Sequence, residues 1–220
     1  MKQLAGFGAA IAFSALLVTS TAAFASNPTD ILTKATTTVE QMKVDPAFSP
    51  ARNMIDQAKG MLIVPNLTKG GFLVGAEGGD GVLVSKTPTG WSEPAFYGVS
   101  SASFGLQAGL EKAQIVMLIM SDKAMAAIQS PSFKMGAGAG LTVANLSGGA
   151  AAATGDILVW TSATGAYGGL TLNGTSIKPN DDWNKSFYGR PLTVAEILGG
   201  KVQNPNTVAF RTELARIKSG

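Results

Sequence analysis

The chain of 220 residues contains neither cysteine nor histidine. Without histidine there can be no Ser-His-Asp triad and no histidine-bearing zinc site. Without cysteine, thiol catalysis and iron–sulfur ligation are excluded as well. No disulfide can staple the fold, so burial alone must hold it, and a chain of this length can build a sufficient core. Charge is also scarce: 14% of residues are charged, against roughly 25% in an ordinary domain. There is no run of adjacent basic residues, and the formal net charge is only +3. That balance argues against nucleic acid as a partner, because such proteins concentrate Lys and Arg on one face. The nucleophile-elbow pattern G-x-S-x-G, the phosphate-binding G-x-x-x-x-G-K-[ST] and the S-x-x-K pattern are all missing.

What the chain does have begins at its front. Lys2 is followed by an uncharged apolar stretch from Leu4 to Val18, and Ala23-Phe24-Ala25 supplies a small-x-small site. This reads as a signal peptide over residues 1–25, cut before Ser26, with the alternative of an uncleaved N-terminal anchor. The apolar stretch is short for a membrane span, and no second stretch is long enough to be one. The expected product is one domain over residues 26–220, periplasmic or secreted.

Ile31, Leu32, Ala35, Val39 and Met42 recur at helical spacing, with Thr29 or Asp30 as the expected cap. Ser49-Pro50 reads as a cap followed by proline at the first helical position. In the helix that follows, Ala51, Met54, Ile55 and Ala58 form an apolar stripe opposite Arg52, Asp56 and Lys59, and Gly60 is the stop. From Met61 onward the pattern changes to short apolar runs separated by some of the 27 glycines. Met61–Val64, Phe72–Gly75, Val82–Val84, Ile115–Met120, Ile157–Trp160 and Leu170–Leu172 read as strands. Gly78-Gly79-Asp80-Gly81 and Asn173-Gly174 read as hairpin turns. Helices return at Asp122–Gln129, Thr193–Leu198 and Thr207–Lys218, the last with Phe210, Leu214 and Ile217 on one side. Asn180 to Trp183 is a polar loop or a helix start. The expected fold is α+β: a bent antiparallel sheet or half-barrel of hairpins with N-terminal and C-terminal helices.

Gly136, Gly138 and Gly140 alternate, which places all three on one face of a strand and lets something lie against bare backbone. The visitor is either a core helix or neighbouring sheet, or an acyl chain. Met135–Leu141 lacks the third glycine and the following acid of a dinucleotide loop. Glu77 and Asp80 flank Gly78-Gly79, and two readings stand: a solvated hairpin, or a turn whose carboxylates touch calcium. Phe72, Phe96, Tyr97, Phe104 and Tyr167 with rim lysines suit a groove for an amphiphile, and equally an ordinary core.

Four blocks between Ala58 and Leu198 carry a resemblance: AKGMLIVPNLTKGGFLVGAEGGDGVLV, WSEPAFYGVSSASFGLQAGLEKAQIVMLIMSDKAM, GAYGGLTLNGTSIKPN, and SFYG followed by VAEIL. In order and spacing they are similar to the SYLF domain family, whose eukaryotic members include a yeast actin-binding protein. The resemblance implies a single lipid-binding domain. In the eukaryotic relatives, phosphoinositide binding goes with an amphipathic helix at the front of the domain and basic residues around it. Carried over, that region is Ala51–Lys59, with Arg52, Lys59 and then Lys69 as phosphate contacts. The chain departs from the family at Gly138, where an aspartate is usual. It departs again at Asn145 to Gly149, where a Gly-Pro-x-Gly-Arg turn is usual and the cation is missing. Taken together, the expected function is non-catalytic: a periplasmic protein that binds anionic phospholipid or associates with the envelope, using Arg52, Lys59 and Lys69 for headgroups and the Gly136, Gly138, Gly140 face for apolar approach, without metal or cofactor. The alternative is a structural or interaction protein docking on another envelope protein.

Overall fold

In the computed structural model, the residues described are 27–71, 74–104, 111–136, 140–146, 154–162 and 174–217. The leader lies outside them, as do Gly138, Leu170–Leu172 and Asn173. Helix α1 spans Pro28–Val44. Its cap is Asn27 rather than Thr29 or Asp30: the Asn27 side chain accepts from the Asp30 amide at 2.9 Å, with Pro28 in the first helical position. Threonine in a helix costs rotamer freedom. Here the hydroxyls of Thr33, Thr36, Thr37 and Thr38 each donate to the carbonyl four residues earlier. That bond satisfies each hydroxyl within the helix. Ile31, Leu32, Ala35, Val39 and Met42 are buried, as the helical spacing requires.

Asp45 caps a short 3-10 turn over Pro46–Phe48, and α2 follows at Ser49–Met54. Ser49 is therefore the first residue of α2, not its cap. The expected helix through Lys59 is broken: Ile55–Gln57 is again 3-10, and Gly60 opens a strand. Nine strands follow among the described residues: β1 Gly60–Gly71, β2 Val74–Thr87, β3 Gly90–Trp91, β4 Ala95–Phe104, β5 Glu111–Ile119, β6 Phe133–Lys134, β7 Val143–Asn145, β8 Ile157–Thr161 and β9 Ser176–Pro179. Between and after them lie α3 Asp122–Ile128, α4 Asp181–Tyr188, α5 Val194–Leu198 and α6 Val208–Ala215.

The sheet order is β6-β9-β4-β2-β1-β5-β8-β7, with β3 pairing β2. Every pairing is antiparallel except β7 with β8. The architecture is the expected curled half-barrel with helices at both ends. The register of β1 shifts between Ile63 and Thr68 against β2 and between Val64 and Leu67 against β5. Such a bulge bends a strand, and here it drives the β1 backbone onto β2. A Cβ on Gly79 would run into the carbonyl oxygen of Asn66, and one on Gly81 into that of Ile63. The Gly78-Gly79-Asp80-Gly81 segment is thus no hairpin turn. It lies inside a strand of 14 residues, and its glycines serve close approach.

Both faces of the sheet are covered. Met61, Ile63, Val82, Val84, Phe96, Val116, Leu118, Leu158 and Trp160 pack with α1 and α6. The alternate residues Leu62, Leu83, Tyr97, Ile115, Met117, Ile119, Val159 and Ile177 pack with α3 and α5. This explains why the strands read as solid apolar runs rather than alternating ones. Each large aliphatic side chain buried this way contributes about 1.5–3 kcal/mol.

Candidate binding surface

The amphipathic segment after α1 is bound to the body on both its faces. Its stripe residues Ala51, Ile55 and Ala58 are buried, and Met54 packs against the same core. Just before it, the fully buried Phe48 stacks on Trp160, whose indole N–H donates to the Ala47 carbonyl at 2.8 Å. On the polar side, Arg52 Nη1 donates to the carbonyls of Met42 at 2.8 Å and Asp45 at 2.7 Å. The Met42 carbonyl is in the last turn of α1, whose acceptors lack a helical partner, and the Asp45 carbonyl also accepts from the Phe48 amide at 3.1 Å; a cation here also meets the negative end of the helix dipole. Lys86 from β2 donates to the carbonyls of Ile55 at 3.1 Å and Asp56 at 3.0 Å, closing the 3-10 turn.

The other expected contacts are scattered. Lys59 is half-exposed and pairs with Asp122 at 3.4 Å, in the first turn of α3. Lys69 stands opposite Glu77 on β2 and Glu111 on β5 in the strand register. Gly136 and Gly140 are not strand residues: their φ angles of 75° and 54° are left-handed, the region where glycine relieves the clash a side chain would meet. Gly136 lies in a turn and Gly140 outside any strand, so neither end of the expected alternating face is strand backbone. Gly138 lies outside the described residues. Lys59 and Gly140 both meet the first turn of α3, Lys59 through Asp122 and Gly140 through Lys123, whose Nζ donates to the Gly140 carbonyl at 3.1 Å, while Arg52 is engaged at the end of α1.

Glu77 and Asp80 are three residues apart on one strand and so point to opposite faces. They cannot close on one cation from a turn. Glu77 is buried, and its carboxylate accepts from the Ser101 hydroxyl at 3.1 Å. Asp80 is partly exposed, and burial raises its carboxyl above the ordinary range. Among the described residues no three acidic side chains gather as a metal site would need.

Other titratable groups hold elements together. Glu93 is buried; it accepts from Arg211 Nη1 at 2.7 Å and from the Thr207 hydroxyl at 2.6 Å, so α6 is clamped to the segment before β4. Lys43 at the end of α1 pairs with Glu213 on α6, and Arg216 reaches the same carboxylate at 2.7 Å. The Lys43 hydrogen bond and charge hold the Glu213 carboxyl below its usual range. The Asp156 carboxyl is lowered likewise by the Ser121 hydroxyl and by the Thr142 amide and hydroxyl.

Lysines that motif reading passed over are left available. Lys112 on β5, Lys134 on β6 and Lys178 on β9 are exposed. Among the described residues none of the three has a carboxylate within ion-pair distance. Their strand parity was readable locally, since each is flanked by an apolar residue that faces the core: Ala113, Phe133 and Ile177. Their common position was not, because it depends on the order of the strands.

Residues 100–216 match the model of the Ysc84 family, described as Las17-binding protein actin regulator. Human SH3 domain-containing YSC84-like protein 1 is 30% identical over 161 residues, which is 70% of this chain and 46% of that protein. Protein YSC84 of Saccharomyces cerevisiae is 27% identical over 161 residues, or 69% of this chain and 34% of the yeast protein. LAS seventeen-binding protein 3 of the same yeast is 25% identical over 169 residues, covering 71% and 36%. The chain spans less than half the length of these curated relatives. No solved structure matches it. The four sequence blocks, the curled sheet and the match over residues 100–216 agree: the chain belongs to the Ysc84 family, the SYLF family its sequence resembles.

Proposed function

We propose that this member of the family is a non-catalytic binding protein, exported after cleavage before Ser26, that associates with anionic phospholipid at the surface of the cell envelope. The observation that supports it best is that three of the exposed lysines without an ion pair among the described residues, Lys112, Lys134 and Lys178, stand on strands of the one sheet, on the face away from the core of α3 and α5. A lysine near an anionic membrane contributes about 1 kcal/mol, so a few acting together give reversible, salt-sensitive attachment. The contact lies on the surface of the folded domain, because the amphipathic segment that an insertion mechanism would use is already packed into the core. Vesicle flotation tests the reading. Binding should increase with the share of anionic lipid and fall as salt rises; indifference to every vesicle composition would remove it. The export step is checked by the intact mass of the protein from its native host, which should begin at Ser26.

A second reading comes from the relatives. The family description and the name of one yeast relative both speak of Las17 binding, which favours a protein partner over a lipid. A domain that ignores vesicles but co-purifies stoichiometrically with one envelope protein would establish it.

A further inference from the structure

Among the described residues, nothing covers one face of the sheet beyond α1. Lys112 on β5 pairs with Thr68 on β1, Thr68 with Gly78 on β2, Gly78 with Ser100 on β4, Ser100 with Ser176 on β9, and Ser176 with Lys134 on β6. These six residues form one continuous row across the sheet. Five steps of about 4.8 Å make the row about 24 Å long, measured along the sheet. Their neighbours Ala113, Leu67, Val99, Ile177 and Phe133 belong to the core on the opposite face, so the row points away from that core. Lys178 stands two residues along β9, next to Gly98, which in turn pairs with Asp80.

The same face closer to the core is covered by α1 and α6. Helix α1 marks the boundary: the Gln114 side chain on β5 donates to that of Gln41 at 2.7 Å. Lys34 lies two turns back along that flank and is exposed. Past this boundary Gly78, Ser100, Lys112, Lys134 and Lys178 are exposed. The floor is therefore small-sided, with lysines at both ends and along one border. Asp80 is the acid on the described part of it.

Resting on the phospholipid reading above, we infer that this lysine-framed face, with Lys112 at one end and Lys134 and Lys178 at the other, is the surface that lies against an anionic membrane. The match is one of shape and charge. A floor of Gly78, Gly98 and Ser100 raises no large side chain toward a headgroup layer, and Lys112, Lys134 and Lys178 outnumber the one carboxylate, Asp80, on the described strands of that face. Docking in this orientation leaves the segment from Ser49 to Ala58 in the core.

The test combines Lys112→Gln, Lys134→Gln and Lys178→Gln in one variant of the mature protein. A control of equal charge carries Lys123→Gln, Arg190→Gln and Lys201→Gln. Vesicles of phosphatidylcholine, with and without phosphatidylglycerol, are the probe. The face variant should bind the anionic vesicles about a hundredfold more weakly, with an unchanged Tm, while the control stays close to the parent. Hydrogen exchange over residues 49–58 should remain slow on the vesicles. Equal losses in both variants would reduce the effect to net charge and overturn the assignment of this face. So would an unaffected face variant, or faster exchange over residues 49–58; each of these leaves the phospholipid reading standing. If the parent ignores vesicles altogether, both fall. Binding of polyglutamate instead of vesicles, lost in the face variant, would give the face to an acidic polypeptide.

Discussion

Arg52 and Lys59 show how far a residue's role depends on what folds over it. From the spacing alone both sit on the polar side of one amphipathic segment. In the fold, Arg52 holds the last carbonyls of α1, while Lys59 makes an exposed pair with Asp122. Arg52→Ala should therefore lower stability by about 1.5–3 kcal/mol, the range for hydrogen bonds from a charged donor. Lys59→Ala should change it by less than about 0.5 kcal/mol, as exposed ion pairs contribute little. Urea unfolding of the two variants measures the contrast. Gly81 makes a second case. Alanine there would meet the Ile63 carbonyl, and overpacking of this kind costs about 1–3 kcal/mol. A smaller loss in Gly81→Ala would mean that the β1 bulge moves aside easily. Sequence reading took this glycine for a turn residue, because its neighbours spell a turn and the strand that presses on it is far away in the chain.

At the level of elements, local chemistry is legible where an element carries its own signals. Thr193 and Glu196 form a reciprocal capping box at the start of α5, with the Glu196 carboxylate accepting from the Thr193 amide at 2.7 Å. Asn180 caps α4, where only a loop or a helix start had been expected. Contacts between elements are less legible, and the pairing of α1 with α6 through Lys43 and Glu213 is one of these. The Glu213 carboxyl titrates lower in the folded state than the roughly 4.3 of a free glutamate. It therefore adds stability that is complete above about pH 5, and that stability is lost as pH falls through the folded value. In Glu213→Gln, unfolding free energy should fall less steeply between pH 5 and pH 3 than in the parent. Equal slopes would show that the pair does not couple folding to acid. The Arg211–Glu93 clamp predicts a larger effect. Arg211→Met leaves a buried carboxylate without its cation and should cost about 3–5 kcal/mol, read as a large fall in Tm.

For the molecule as a whole, the chain reversal that brings its first and last helices together also decides what stays accessible. Helices α1, α4 and α6 cover one half of one sheet face, and α3 and α5 close the other side. The amphipathic segment that looked free in sequence is inside this arrangement. The lysines that looked ordinary are at its open edge. The membrane reading and the orientation proposed for it both rest on that exchange of places, and the vesicle experiments above test them separately.

The sequence by itself determined the helical stripe of α1, the apolar strands, the absence of thiol and imidazole chemistry, and the family. Each of these depends on residue identity or on spacing within one segment, and the physics acting there is local. Only the tertiary structure decided which cations remain available, which glycines are there for close packing, and which side of the sheet faces outward. Those outcomes follow from strand order and from a bulge in β1. Both are set by contacts between residues far apart in the chain, where burial on two faces at once outweighs any preference a single segment expresses.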